Sequence, residues 1–162
     1  MNEKKFAFII LHYNELNVTK KCIDAIKKNT DKHAVAIVIV DNCSPDGSGK
    51  VLKEIYKTDI QVTVLQTEKN CGFAKGNNLG YRYAKDILHV DFMCVMNNDV
   101  LLLQPNFIDR IYEEYESTRV GIIGPHITLL NGMTNYMYLK MHKQSFYENE
   151  LKNAKIMYRY YT

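Results

Sequence analysis

Two short stretches constrain this chain more than any others: residues 6–11 (FAFIIL) and 35–40 (VAIVIV). Both are continuously apolar, with no alternation of polar residues. Both stop abruptly, at His12-Tyr13-Asn14 and at Asp41-Asn42. A short β-branched run without alternation predicts a strand covered on both faces. Strands buried on both faces belong to parallel sheets, and parallel neighbours need crossover helices between them. The intervening sequence supplies one. In residues 16–28, Val18, Cys22 and Ile26 recur at helical spacing with Ile23 beside them, and Lys20, Lys21, Lys27 and Lys28 take the remaining positions.

The same alternation continues. Ser48 is placed to cap a helix in which Val51, Leu52, Ile55 and Tyr56 share a face. Residues 62–65 predict a third strand, 74–84 a helix, and 92–96 a fourth strand. Pro105 predicts the start of a helix carrying Phe107, Ile108, Ile111, Tyr112 and Tyr115. Residues 120–123 predict a fifth strand. Asn131-Gly132 between residues 128–130 and 133–138 is a hairpin signal. Residues 148–161 are compatible with a helix or a strand. The expectation is an α/β fold with a mostly parallel central sheet flanked by helices.

Composition narrows the class. With 162 residues the chain suits one domain, and 46% hydrophobic with 24% charged residues is ordinary for a globular protein. A net charge of +3 is too small to argue for nucleic acid. No apolar run approaches a membrane span, and the opening residues do not read as a signal peptide. Cys22, Cys43, Cys71 and Cys94 form no C-x-x-C pair, so free thiols in a reducing cytoplasm are expected.

In parallel sheets ligands bind beyond the carboxyl ends of the strands. Asn97-Asn98-Asp99 follows the fourth strand directly. One carboxylate and two amides there can hold a hard cation that bridges diphosphate oxygens, or can simply form a turn. Asp41 can accept from a nucleobase N–H or a ribose hydroxyl, or can serve as a turn residue or helix cap. The stretch 70–80 (NCGFAKGNNLG) holds three glycines and three asparagines. It offers close backbone approach and helix N–H groups to an anion, or tight helix packing. It is neither a G-x-G-x-x-G fingerprint nor a Walker loop. No G-x-S-x-G or H-E-x-x-H motif is present, and the five histidines are scattered.

Taken in order, four segments resemble the family 2 glycosyltransferases, which have the GT-A fold. Residues 8–14 are similar to the opening strand and its Tyr-Asn end. Residues 39–48 are similar to V-D-N-x-S-x-D-G-S, and residues 70–80 to N-x-G-F-A-x-G-x-N-x-G of the rhamnosyltransferase-like branch. Asn97-Asn98-Asp99 stands where the family has D-x-D. The resemblance implies a nucleotide pocket lined by Tyr13 with His12 and Asn14 beside it, and Asp41 on the base. It places Gly72, Lys75 and Asn78 near base and diphosphate, and Asn97 and Asn98 near ribose or sugar. Asp99 would ligate Mn²⁺ or Mg²⁺. The family's arginine of the third segment is absent, leaving Lys75 or backbone N–H groups for the diphosphate. The implied donor is a UDP- or dTDP-sugar, and the implied acceptor a glycan or lipid-linked sugar of cell-surface polysaccharide assembly. Inverting transfer also needs a base on the acceptor hydroxyl; residues 146–151 are faintly similar to the family's acidic segment and offer Glu148 or Glu150, with Glu148 first.

Against such domains this chain is short, and the deficit falls at the acceptor side. The expected division is a nucleotide-sugar core over residues 1–130, then a hairpin and tail over residues 131–162. Half of the 12 tyrosines lie in that Lys-rich tail. It could complete an acceptor side, hold a homo-oligomer, touch an anionic membrane at the cytoplasmic face, or pack as a plain helix. Three functions are therefore expected in descending order: a glycosyltransferase, a family member that binds nucleotide or a partner without transfer, and a nucleotidyltransferase.

Overall fold

The structure is a computed structural model that describes residues 4–124 and two short strands, 127–128 and 134–135. The chain divides into two compact units, Met1–Phe107 and Ile108–Thr162.

The first unit contains an all-parallel sheet. Its strands are β1 (Phe6–His12), β2 (Val35–Asp41), β3 (Val62–Gln66) and β4 (Phe92–Asn97), in the order β3-β2-β1-β4. The chain starts in the middle and crosses from β3 on one edge to β4 on the other. The reversal of direction falls between β1 and β4, where a crevice at the carboxyl ends is expected. The two apolar runs are the central strands. Phe8, Ile9, Ile10, Ile37, Val38, Ile39 and Val40 are completely enclosed, as continuous apolar runs should be.

The crossovers are α1 (Leu16–Asn29), α2 (Ser48–Ile55) and α3 (Phe73–Asp86). Helix α1 buries Cys22, Ile23 and Ile26, the stripe read from its spacing. Helix α3 lies unusually close to β1 and β2. A Cβ at Gly76 would come within 2.4 Å of Leu11, and one at Gly80 within 2.5 Å of Ile9 and 3.0 Å of Val40. The glycines that weaken the helix by propensity are therefore what lets it pack. At the other end of the sheet Phe6 stacks on Phe92 at 6.3 Å, and Phe107 tilts against Phe8 at 6.3 Å.

Helix α4 (Phe107–Thr118) leads into the second unit, where β5 (Ile127–Thr128) pairs antiparallel with β6 (Thr134–Asn135). The hairpin pairing agrees with the sequence reading. Its Asn131-Gly132 turn, and Glu148 and Glu150, lie outside the described residues.

Three local expectations are corrected. Residues 120–123 form no strand. Arg119 takes a left-handed φ of 53°, and the Val120 N–H is satisfied by the Thr118 hydroxyl at 3.4 Å, with no neighbouring strand involved. Pro105 does not open α4; residues 105–106 form a turn closed by the Phe107 N–H on the Gln104 carbonyl at 3.3 Å. Ser48 is the first residue of α2 rather than its cap, because the Asp46 carboxylate already accepts the Ser48 N–H at 2.9 Å.

Candidate functional site

Parallel register brings the four strand ends into one row. Gln66 of β3 stands opposite Asp41 of β2, Asp41 opposite His12 of β1, and Leu11 opposite Asn97 of β4. The polar residues that terminate each apolar run thus lie along one edge of the sheet.

Asp41 is almost fully buried, yet its carboxylate has three donors. One oxygen accepts the Ser44 N–H at 3.0 Å and the Ser44 hydroxyl at 2.5 Å; the other accepts the Gln66 amide at 3.2 Å. The Ser44 hydroxyl in turn accepts the Asn14 N–H at 2.9 Å, which ties the β1 loop to the β2 loop. Gly49 closes the arrangement from α2. A Cβ there would fall 1.7 Å from the second Asp41 oxygen, so any side chain would displace the carboxylate. A pocket of about 250 Å³ opens beside it, lined by Asp41, Cys43, Ser44, Lys50, Gln66 and Thr67 among others.

Asn42 serves the next loop. Its side-chain oxygen accepts the Cys71 N–H at 2.9 Å, and its NH₂ donates to Asn70 Oδ1 at 3.0 Å; that same oxygen accepts the Gly72 N–H at 2.9 Å. Gly72 then turns into α3 with φ 79°, a conformation that favours glycine. The loop is therefore latched to the sheet by one buried amide.

His12 is enclosed, and both ring nitrogens have partners. Nδ1 meets Thr19 Oγ1 of α1 at 2.7 Å, and Nε2 meets Ser48 Oγ of α2 at 2.8 Å. The Ser48 hydroxyl donates to Asp46 at 2.5 Å, and the Asn98 NH₂ donates to Thr19 Oγ1 at 2.9 Å. Burial lowers the His12 pKa against the opposing pull of Asp41 and Asp46, which favours a neutral ring. The imidazole has no ring nitrogen left for a ligand; its backbone carbonyl accepts the Asn42 N–H at 2.9 Å.

The other expected residues are open to solvent. Tyr13 is half exposed. Asn14 and Glu15 both adopt φ 58°, and Cys43 φ 60°, so the loops after β1 and β2 hold left-handed non-glycine residues side by side. Such strain concentrates at functional loops. Asn14 Oδ1 is enclosed without a hydrogen-bond partner among the described residues. Gly72, Lys75 and Asn78 are exposed around the start of α3. Asn97 and Asp99 are exposed, in a turn closed by the Val100 N–H on the Asn97 carbonyl at 3.3 Å. The buried Cys22 thiol lies behind this turn; burial, with a further push from Asp99, raises its pKa to about 12, so it is a neutral thiol and no nucleophile. All four cysteines are free.

Sequence reasoning missed Thr19, Ser44, Gly49, Gln66 and Thr67. Ser44 and Gly49 stand inside or just after a motif already singled out. Thr19, Gln66 and Thr67 carry no local signal, because only strand register and the α1 crossover bring them to the edge.

Comparison with known proteins follows the same outline. The model of the family described as "Glycosyl transferase family 2" matches residues 7–161. Glycosyltransferase GlyA of Streptococcus pneumoniae serotype 4 is 24% identical over 159 residues, covering 98% of this chain and 22% of that protein. The poly(ribitol-phosphate) beta-N-acetylglucosaminyltransferase TarS of Staphylococcus aureus is 27% identical, covering 82% of this chain and 26% of TarS. The crystal structure of TarS 1–349 superposes with a TM-score of 0.65 at 20% identity, over 80% of this chain and 37% of that one. The mannosyltransferase PcManGT from Pyrobaculum calidifontis, solved with GDP-Man and Mn²⁺, gives 0.65 at 18% identity, again over 80% and 37%. The chain thus spans less than half the length of these relatives.

Proposed function

This chain belongs to glycosyl transferase family 2 and has the GT-A fold, and on that premise we propose that it binds a nucleoside-diphosphate sugar and transfers the sugar to a hydroxyl acceptor. The carrying observation is the row of strand ends: a buried, fully donated Asp41 beside a pocket at one end, and the exposed Asn97-Asn98-Asp99 turn on the strand next to β1.

In this reading the base enters the Asp41 pocket, with Tyr13 and Asn14 on the β1 side and the backbone at His12 behind them. Gly72, Lys75 and Asn78 lie near the base and diphosphate, and Asn97 and Asn98 near the ribose or sugar. The donor is a UDP- or dTDP-sugar; related structures hold UDP-GlcNAc or GDP-Man, so GDP belongs in the same test. Asp99 with the amide oxygens of its turn would hold Mn²⁺ or Mg²⁺. The donor set fits: an exposed carboxylate beside neutral amide oxygens suits a cation whose shell is completed by substrate phosphates. When bound, such a cation offsets the charge that builds on the leaving diphosphate. The protein's own work is to orient the donor and to admit the acceptor. Glu148 is our proposed base for inverting transfer, taking the proton of the acceptor hydroxyl. The kinship with the rhamnosyltransferase-like branch, and with it the glycan or lipid-linked acceptor of surface polysaccharide, rests on the resemblance of residues 70–80 and 97–99; the working place at the cytoplasmic face of the membrane rests on the free cysteines and the Lys-rich tail. The division into a donor core over residues 1–130 and an acceptor or oligomer element over 131–162 rests on where that resemblance ends and on the Tyr- and Lys-rich composition beyond it. No helix among the described residues is long and apolar enough to cross a membrane.

Isothermal titration with UDP, dTDP and GDP, with and without Mn²⁺, tests the reading. We expect micromolar to millimolar binding of at least one, strengthened by Mn²⁺. Asp99→Ala should remove the metal's effect and leave most of the metal-free binding; an Mn²⁺ enhancement unchanged in that variant rejects the role of Asp99.

A further inference from the structure

The five groups Asp46, Ser48, His12, Thr19 and Asn98 form one hydrogen-bonded row from the turn before α2 to the turn after β4. The chemistry of its first member sets the direction of every bond in it. A carboxylate only accepts. The hydrogen bonds from Ser48 to Asp46 favour its ionised form. The single hydroxyl proton of Ser48 is therefore spent on Asp46, at 2.5 Å. Ser48 Oγ must then accept from His12, which puts the imidazole proton on Nε2. A neutral ring so protonated has a bare Nδ1, which must accept from the Thr19 hydroxyl. Thr19 Oγ1, its proton spent, accepts from the NH₂ of Asn98. The Asn98 amide is thereby held with its nitrogen inward.

We propose that His12 is a positioning residue: a neutral, Nε2-protonated bridge through which the charge of Asp46 orients Asn98 and the turn that carries Asp99. The bridge rests on the proposed function only for its use, which is to hold the diphosphate side of the site in register with the base side. The residues that connect the two sides come from β1, α1 and α2. With its nitrogen committed to Thr19, Asn98 presents its carbonyl oxygen to a ligand, as an acceptor for a ribose or sugar hydroxyl. The reversed row, with Nδ1 protonated and Asn98 flipped, would require Ser48 to donate to both His12 and Asp46, which one hydroxyl cannot do.

The first test needs no nucleotide. Long-range ¹H–¹⁵N spectra of the histidine rings in the full chain at neutral pH, assigned by the loss of one ring in His12→Gln, should show His12 with Nε2 protonated and Nδ1 bare. Nδ1 protonated, or a charged ring, overturns the proposal. Asp46 is exposed, so Asp46→Ala should fold, and it removes the anchor. We expect His12 to become a mixture of tautomers and the Asn98 side-chain amide signals to shift, although Asn98 lies four groups away along the row. Unmoved Asn98 signals overturn the coupling. In the same variant the ratio of UDP affinities with and without Mn²⁺ should fall about fivefold or more. An unchanged ratio overturns the positioning role. A parent chain that binds no nucleoside diphosphate counts against the proposed function, while the histidine and Asn98 spectra still decide for or against the row.

Discussion

Gly49 shows how much of this site depends on single atoms. Its hydrogen faces Asp41 where a methyl would sit 1.7 Å from a carboxylate oxygen. Gly49→Ala should therefore push Asp41 off Ser44 and Gln66. Overpacking of this kind costs about 1–3 kcal/mol. Urea unfolding should show that loss, and nucleotide titration a weakened base contact; a variant as stable as the parent would contradict the packing. His12 makes a second prediction at this scale. Its folded pKa lies below the ordinary 6.5 because burial outweighs Asp41 and Asp46. The unfolded chain then takes up the proton more readily than the folded one, so the stabilisation is complete above pH 6.5 and declines as pH falls from there through the folded value. Comparing urea midpoints for parent and His12→Leu between about pH 7.5 and 5 isolates this contribution. The parent should lose stability more steeply on acidification, and parallel profiles would refute the assignment. Asp46 also has a lowered pKa, through Ser48, but its loss falls at more acid pH, below 3.8.

At the scale of elements, side chains at the strand ends add to the loops' own turns in holding them. Asn42 at the end of β2 latches residues 70–72 through the Cys71 N–H and Asn70, and Asn70 latches Gly72. Asn42→Ala removes two part-buried hydrogen bonds, at about 0.5–1.5 kcal/mol each. Amide exchange at Cys71 and Gly72 should accelerate while the β1 and β2 amides keep their protection relative to global stability. Asn29 plays a similar part at the end of α1, donating to the Leu102 carbonyl at 2.9 Å and so fastening the segment after β4. Helix α3 depends instead on absence of side chain. Gly80→Ala would force Ile9 and Val40 apart and should destabilise by about 1–3 kcal/mol. These elements were largely legible beforehand: β1 to β4 and α1 to α3 match the readings from apolar runs and helical spacing to within a residue or two. The failures have local causes: Pro105 lies in a turn closed on Gln104, Asp46 draws Ser48 into the helix, and residues 120–123 have no neighbouring strand among the described residues. A β-branched stretch becomes a strand only when another strand satisfies its backbone, and Val120 found a threonine hydroxyl first.

At the largest scale, the polar strand ends of the described residues gather at one end of the parallel sheet. The order β3-β2-β1-β4 sends Gln66, Asp41, His12 and Asn97 to the same side, and the loops that follow each strand gather there. If that edge binds the donor, hydrogen exchange in the presence of nucleotide and Mn²⁺ should slow at residues 13–15, 42–48, 67–72 and 97–100. The opposite ends of the strands, near Lys5 and Asp91, should be unaffected. Protection spread evenly over the sheet would argue for general stabilisation instead of a site at this edge.

By itself the sequence determined the class of fold and the chemical character of the strand ends. Continuous apolar runs can be buried only between two layers of helix, and the polar residues that end them must emerge where the sheet stops. It also carried the ordered motifs that mark the family. Only the tertiary structure decided the partners. Whether His12 faces a ligand or a neighbouring helix, why a glycine must stand at 49, and how Thr19 comes to connect Asp46 with Asn98 depend on contacts between residues far apart in the chain. Local sequence encodes periodicity and polarity; the direction of a hydrogen bond is settled by what stands at its other end.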